Sequence, residues 1–157
     1  MGEVSPARFI PFSERAGIIG ELTKTLLRKA LAAATCWDAH LRLAFNLSAH
    51  DLNSNESALA ILSVVERSGL DPKRLDLEIT ETAFAHDFAQ ITHSVEMLRR
   101  LGCGISLDDF GTGYSSLTRL HALPLTKFKI DRSFVANLHT KPASYKIVKS
   151  LLALSAD

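Results

Sequence analysis

Two hydrophobic periods alternate along this chain. Ile18, Leu22, Leu26, Ala30 and Ala34 fall four residues apart, one face of a long helix, with Glu21, Lys24 and Arg28 on its wet side. Residues 41–48 (Leu-Arg-Leu-Ala-Phe-Asn-Leu-Ser) then alternate as a strand does. A second helix carries Ala58, Leu59, Leu62 and Val65, opens on cap residues within 53–56 and stops at Gly69. Asp71-Pro72 turns the chain into a strand over 75–80, and a helix with Phe88, Ile91, Val95 and Leu98 runs to Gly102. A third strand leads into Asp108-Asp109 and a loop containing Gly111 and Gly113. A short helix over 117–123 broken by Pro124, a strand over 126–131 and a closing helix from Pro142 through Ile147, Val148, Leu151 and Leu152 complete the pattern. Ahead of all this, residues 1–8 read as a loose lead-in and 9–17 as a helical turn closed by glycine, and Trp37 reads as a packing residue. A helix followed by four strand-and-helix units predicts an α/β protein with a parallel sheet, either doubly wound or closed as a barrel.

Strand parity gives the pattern chemical content. Leu43, Phe45 and Leu47 share one face of the first strand and Asn46 the other; Leu75, Leu77 and Ile79 oppose Glu78; Ile105 and Leu107 oppose Asp108; Phe128 and Ile130 oppose Lys129. Each strand can give an apolar face to the helices while a polar residue near its C-terminal end points the other way, the end where barrels build active sites. Asn46, Glu78, Asp108 and Lys129 therefore converge, with Asp109 beside them. Oxygen ligands of this kind suit Mg²⁺ or Mn²⁺. A lysine beside such an ion can hold or help deprotonate a water, or steady phosphate charge. The competing reading is a set of buried ion pairs in which Lys129 neutralises Asp108, but gathering four polar groups at one end of a sheet for no purpose is costly.

Composition narrows the classes. The chain's 157 residues allow one domain with a sizeable core, and 46% hydrophobic and 22% charged residues are those of a soluble globular protein. A net charge of +1 with scattered basic residues argues against a nucleic-acid partner. No apolar run has transmembrane length, and no signal-peptide core begins the chain. Cys36 and Cys103 form no CxxC pair and read as reduced, buried thiols of a cytoplasmic protein. The six histidines show no ligand spacing, Ser116 stands where a dinucleotide loop wants its third glycine, and Ser115 and Ser116 lack a histidine partner in sequence.

Five stretches carry a resemblance: Phe9-Ile10-Pro11-Phe12-Ser13-Glu14, Asn46-Leu47-Ser48, Leu77-Glu78-Ile79-Thr80-Glu81, Asp108-Asp109-Phe110-Gly111-Thr112-Gly113-Tyr114-Ser115-Ser116, and Lys129-Ile130-Asp131-Arg132-Ser133-Phe134-Val135. In this order they resemble the EAL family, whose members are bacterial cyclic di-GMP phosphodiesterases, or degenerate receptors for that dinucleotide, on a modified TIM barrel. The resemblance implies a two-metal site of Mg²⁺ or Mn²⁺ held by Asn46, Glu78, Asp108 and Asp109, with Asp108 bridging. Lys129 would position the attacking water, Glu81 would anchor the 109–116 loop, and Asp131 would lie near the substrate. The implied reaction opens cyclic di-GMP to linear pGpG by in-line attack of an activated water. The implied partners are a second copy of the domain and an attached sensor or diguanylate cyclase (GGDEF) domain, with no DNA.

The Glu-Ala-Leu of the family's first strand and its later motifs are not in the sequence. The expectation is therefore a partial EAL domain over 1–157, a TIM-barrel-like (β/α) sheet with about four of eight strands. Such a sheet is expected to pair at its edges and, alone, to be inactive.

Overall fold

In the computed structural model, which describes residues 2, 4–85, 87–110 and 123–154, the four expected strands form β1 (Leu43–Leu47), β2 (Leu75–Thr80), β3 (Gly104–Phe110) and β4 (Lys127–Ile130). All pair in parallel, in the order β1-β2-β3-β4. Each new strand is added on the same side of the last. A doubly wound sheet reverses direction at a switch point, so among the described strands the order is that of a TIM-barrel-like (β/α) sheet.

Among the described residues the helices are α1 (Pro6–Arg15), α2 (Ile19–Ala34), α3 (Ala49–Leu52), α4 (Asn55–Glu66), α5 (Phe88–Leu101), α6 (Arg132–Ala136) and α7 (Pro142–Leu154), with single 3₁₀ turns at Pro72–Arg74 and Glu81–Ala85. Local chemistry sets their ends. Ser54 Oγ accepts from the Ser57 N–H at the start of α4, and Asp87 Oδ1 from the Gln90 N–H at the start of α5. Gly102 ends α5 at φ +112°, a conformation that a residue with a Cβ rarely adopts.

Helix-facing side chains of the sheet make the core. Leu75, Leu77, Ile79, Ile105 and Leu107 are fully buried, packed with Leu27 and Leu31 of α2, Ile61 and Val65 of α4, and Ile91, Val95 and Leu98 of α5. Burying each such side chain is worth about 1.5–3 kcal/mol. This layer holds the strands rigidly enough to aim what stands on the other face.

Several expectations need correction. The lead-in is helical from Pro6, since proline suits a first helical turn. The buried stripe of α2 is Ile19, Thr23, Leu27, Leu31 and Ala34; Ile18 and Leu26, assigned inward from their spacing, are exposed. Both rows of α2 are rich in apolar residues, and adjacent rows lie only about 100° apart on a helix, so spacing alone does not choose between them. Trp37, Leu59, Ile147 and Leu152 are exposed, and so is Cys36, while Cys103 is buried and its thiol is pushed up to about 11 by that burial. The four-residue α3 and five-residue α6 are too short for a periodic signal. The helix expected over 117–123 lies outside the described residues apart from Leu123. No helix among the described residues is long and apolar enough to cross a membrane.

Leu77→Ala tests the layer arrangement. Leu77 is central on β2 and fully buried, so its truncation should cost about 2–5 kcal/mol in chemical denaturation. A loss below about 0.5 kcal/mol would place Leu77 outside the core.

Candidate functional site

On the face away from the helices, strand register writes out the site. One row crosses all four strands as Asn46, Glu78, Ser106 and Lys127. The row toward the strand N-termini holds Ala44, Asp76 and Gly104, and the row toward the C-termini holds Thr80 and Asp108. Between Leu107 and Phe110 the β3–β4 register slips, the signature of a bulge, as the chain reaches the end of β3.

Lys129 Nζ donates to Glu78 Oε2 at 2.7 Å and to Asp108 Oδ2 at 3.1 Å, so one ammonium from β4 bridges carboxylates on β2 and β3. The Glu78 hydrogen bond, more than the one from Asp108, holds the Lys129 pKa above its ordinary value against the opposing effect of burial. Lys129 thus stays charged through the neutral range. Its side chain is 45% exposed, which screens the pairs and makes them weak contributors to stability. Their consequence is positional.

The remaining expected residues are placed less uniformly. Asn46 is exposed and is the register partner of Glu78. It also lines a cavity of about 700 Å³ beneath α1 and α2. The turn that follows it is pinned: Ser48 donates through its N–H (2.9 Å) and Oγ (2.8 Å) to Asp51 Oδ2, which also accepts from Thr23 Oγ1 of α2 at 3.1 Å. Asp109 is exposed at φ +55°, an uncommon conformation for a non-glycine residue, and its N–H donates to Asp108 Oδ1 at 3.0 Å. Glu81 is buried in the 3₁₀ turn that follows β2. Most of the loop it is expected to anchor, residues 111–116, lies outside the described residues. Asp131 caps α6, accepting from the Ser133 N–H at 2.8 Å, and hydrogen bonding by Ser133 holds its carboxyl below the usual range.

Parity offered a further cluster that the sequence reading passed over. Arg42 grips Asp76 with two hydrogen bonds of 2.7 Å, from Nε to Oδ2 and from Nη2 to Oδ1, and Lys127 Nζ reaches the same Oδ2 at 2.6 Å. Arg42 leads into β1, Asp76 is on β2 and Lys127 on β4, so the group spans the sheet below the first site. Residues 42, 76 and 127 have the same parity as 46, 78 and 129, which was the available signal.

The donors fit a hard divalent cation in kind. Glu78 and Asp108 bring two negative charges against one positive charge from Lys129, leaving the site anionic. Ser106 Oγ, buried on the same face in the row of Glu78, has no hydrogen-bond partner among the described residues. No group of three His, Cys, Asp or Glu side chains is gathered to hold an ion among the described residues, so waters and the Asn46 amide would have to complete a shell.

A parallel (β/α) sheet with these polar rows is the frame of an EAL domain, and the chain matches the EAL domain model over residues 1–157. It belongs to that family. One relative is an uncharacterized signaling protein of Caulobacter vibrioides, 41% identical over 153 residues, covering 98% of this chain and 19% of the relative. Another is the cyclic di-GMP phosphodiesterase PA2567 of Pseudomonas aeruginosa, 35% identical over 160 residues, covering 100% of this chain and 27% of the relative. The chain thus spans about a fifth to a quarter of the length of these curated relatives. Among solved structures, the PaMucR phosphodiesterase in complex with c-di-GMP aligns with a TM-score of 0.88 at 34% identity, covering 98% of this chain and 64% of that chain.

The lower cluster has a pH signature. Hydrogen bonding from Arg42 first, and from Lys127 second, lowers the Asp76 pKa below its ordinary 3.8. An acid whose folded pKa is depressed adds stability that is present above its unfolded pKa and lost as pH falls through the folded value. Acid titration of stability should therefore steepen below about pH 4, and Asp76→Asn should remove that part of the slope. An unchanged acid limb in Asp76→Asn would contradict the pairing.

Proposed function

We propose that this chain carries the catalytic face of a metal-dependent cyclic di-GMP phosphodiesterase acting in bacterial second-messenger signalling in the cytoplasm. The observation that carries the reading is the Lys129 ammonium bridging Glu78 and Asp108 at the C-terminal end of the sheet. Relatives and neighbours named for this activity or this ligand support it.

Charge explains why the residues need a cation. Cyclic di-GMP presents two phosphodiester negative charges, and a site holding two carboxylates and one ammonium repels it. Asn46, Glu78, Asp108 and Asp109 would hold Mg²⁺ or Mn²⁺, with Asp108 the central carboxylate of the set. Such an ion supplies Lewis-acid stabilisation of phosphate charge and acidifies water.

The chain's own residues then do the following. Lys129, protonated and with two of its three N–H donors on Glu78 and Asp108, has one left for the attacking water or a phosphate oxygen. An ammonium held in this way orients and stabilises charge; it does not act as the base. Glu81, buried in the 3₁₀ turn after β2, would anchor the 109–116 loop, and Asp131, which caps α6 two residues after Lys129, would lie near the substrate. A second copy of the domain and an attached sensor or cyclase domain are the partners this reading adds.

The test is chromatography of these residues within a completed EAL domain, incubated with cyclic di-GMP and Mn²⁺, since alone they are expected to be inactive. Conversion to pGpG is expected. Asp108→Asn should lower the rate by about 10²-fold or more, since it removes several kcal/mol of charge stabilisation at the phosphate, while its circular dichroism stays unchanged. Binding of cyclic di-GMP without turnover by the wild type would make the chain a receptor. Wild-type turnover by Asp108→Asn would refute the role given to Asp108.

A further inference from the structure

The face that carries the proposed site contains two lysines from β4, and each reaches across β3 to a carboxylate of β2. Lys129 goes to Glu78, and Lys127 goes to Asp76. Register makes the second choice notable. Lys127 shares its row with Ser106 and Glu78, whereas Asp76 lies one row lower. Strands are about 4.8 Å apart, so Lys127 and Glu78 backbones are roughly 10 Å apart across β3, a gap that two extended side chains span. The residues between them are small. Ser106 is buried with no partner for its Oγ among the described residues, and a Cβ added at Gly104 would come within 2.0 Å of Asp76 Oδ1 and 3.0 Å of Arg42 Nη2. In the Lys127–Glu78 row β3 presents only the small Ser106 side chain. What draws it down is the Asp76 carboxylate, 8% exposed and fixed in place by the two-pronged Arg42 grip.

We infer that Asp76 is a positioning residue that sequesters Lys127 from Glu78, so that among the described residues Lys129 is the one ammonium on the Glu78 carboxylate and the Glu78–Asp108 pair keeps its net negative charge for a cation. The inference rests on the metal reading of Glu78 and Asp108. Without Asp76, Glu78 becomes the carboxylate next in reach of Lys127, and the second ammonium brings the two carboxylates to charge balance. Arg42 stays behind, because it leads into β1 at the N-terminal end of the sheet, two rows below Asn46.

Two readouts test this on the native protein. The first is Mn²⁺ binding by calorimetry, without substrate. Asp76→Asn should weaken Mn²⁺ by about tenfold, the scale of one added charge a few ångströms away in a partly screened site. Asp76→Asn with Lys127→Met should restore wild-type affinity. Lys127→Met alone should bind as the wild type does, and it remains informative if Asp76→Asn folds poorly. A purely structural role for Asp76 would leave the double variant as weak as the single one. The second readout is a metal-free crystal structure of Asp76→Asn, in which Lys127 Nζ is expected within hydrogen-bonding distance of Glu78. Unchanged Mn²⁺ affinity in Asp76→Asn, a double variant that is not rescued, weakened binding in Lys127→Met, or Lys127 still pointing at residue 76 would each overturn the inference while leaving the metal site standing. Absence of Mn²⁺ binding by the wild type would overturn both.

Discussion

The ammonium of Lys129 is the interaction on which the site depends, and it exists only because three strands are fixed in register. Glu78 lies one strand beyond Asp108, so a side chain on β4 can touch both only if β3 presents little bulk between them. Ser106, two residues before Asp108, meets that requirement. The register is held from the opposite face, where Leu75, Leu77, Ile79, Ile105 and Leu107 are fully buried. A slip of one residue on β2 or β3 would move its carboxylate into the helix layer, at a desolvation cost of several kcal/mol. The apolar layer thus selects the geometry of the polar one.

The two lysines of β4 show how the same sheet handles charge at two depths. At the lower row a buried carboxylate meets two cations and is satisfied, so Asp76 stays ionised to low pH. Above it the two carboxylates Glu78 and Asp108 share one cation, and the surplus is negative. Among the described residues, the Glu78–Asp108 pair has the negative surplus that the proposed divalent ion would need. The lower cluster ties Arg42, β2 and β4 together and keeps the Lys127 ammonium occupied.

Much of this was legible in the sequence, for a definite physical reason. Period-two alternation in β1 to β4 requires every residue of one parity to share a face, so Glu78, Asp108 and Lys129 could be grouped before any coordinates. The boundaries of β2, residues 75–80, emerged as read because Asp71-Pro72 forces a turn just ahead of it. The same rule applied to Arg42, Asp76 and Lys127 reveals the lower cluster, which was missed by attending only to strand C-termini. Other features were not legible. The inward row of α2 depends on how the helix rolls against α4, which spacing in a helix apolar on two adjacent rows does not decide. The left-handed backbone of Asp109 and the bulge beside it arise from the slip between β3 and β4, a relation between strands that neither strand encodes alone.

The most direct test of the central claim is the Mn²⁺ affinity of the Lys129→Met protein, measured by calorimetry without substrate. If Glu78 and Asp108 are a cation seat that Lys129 partly neutralises, removing its positive charge should tighten Mn²⁺ binding several-fold, by lifting the repulsion between two cations. Unchanged or weaker Mn²⁺ binding would show that the Glu78–Lys129–Asp108 bridge is only an ion-pair tie between strands.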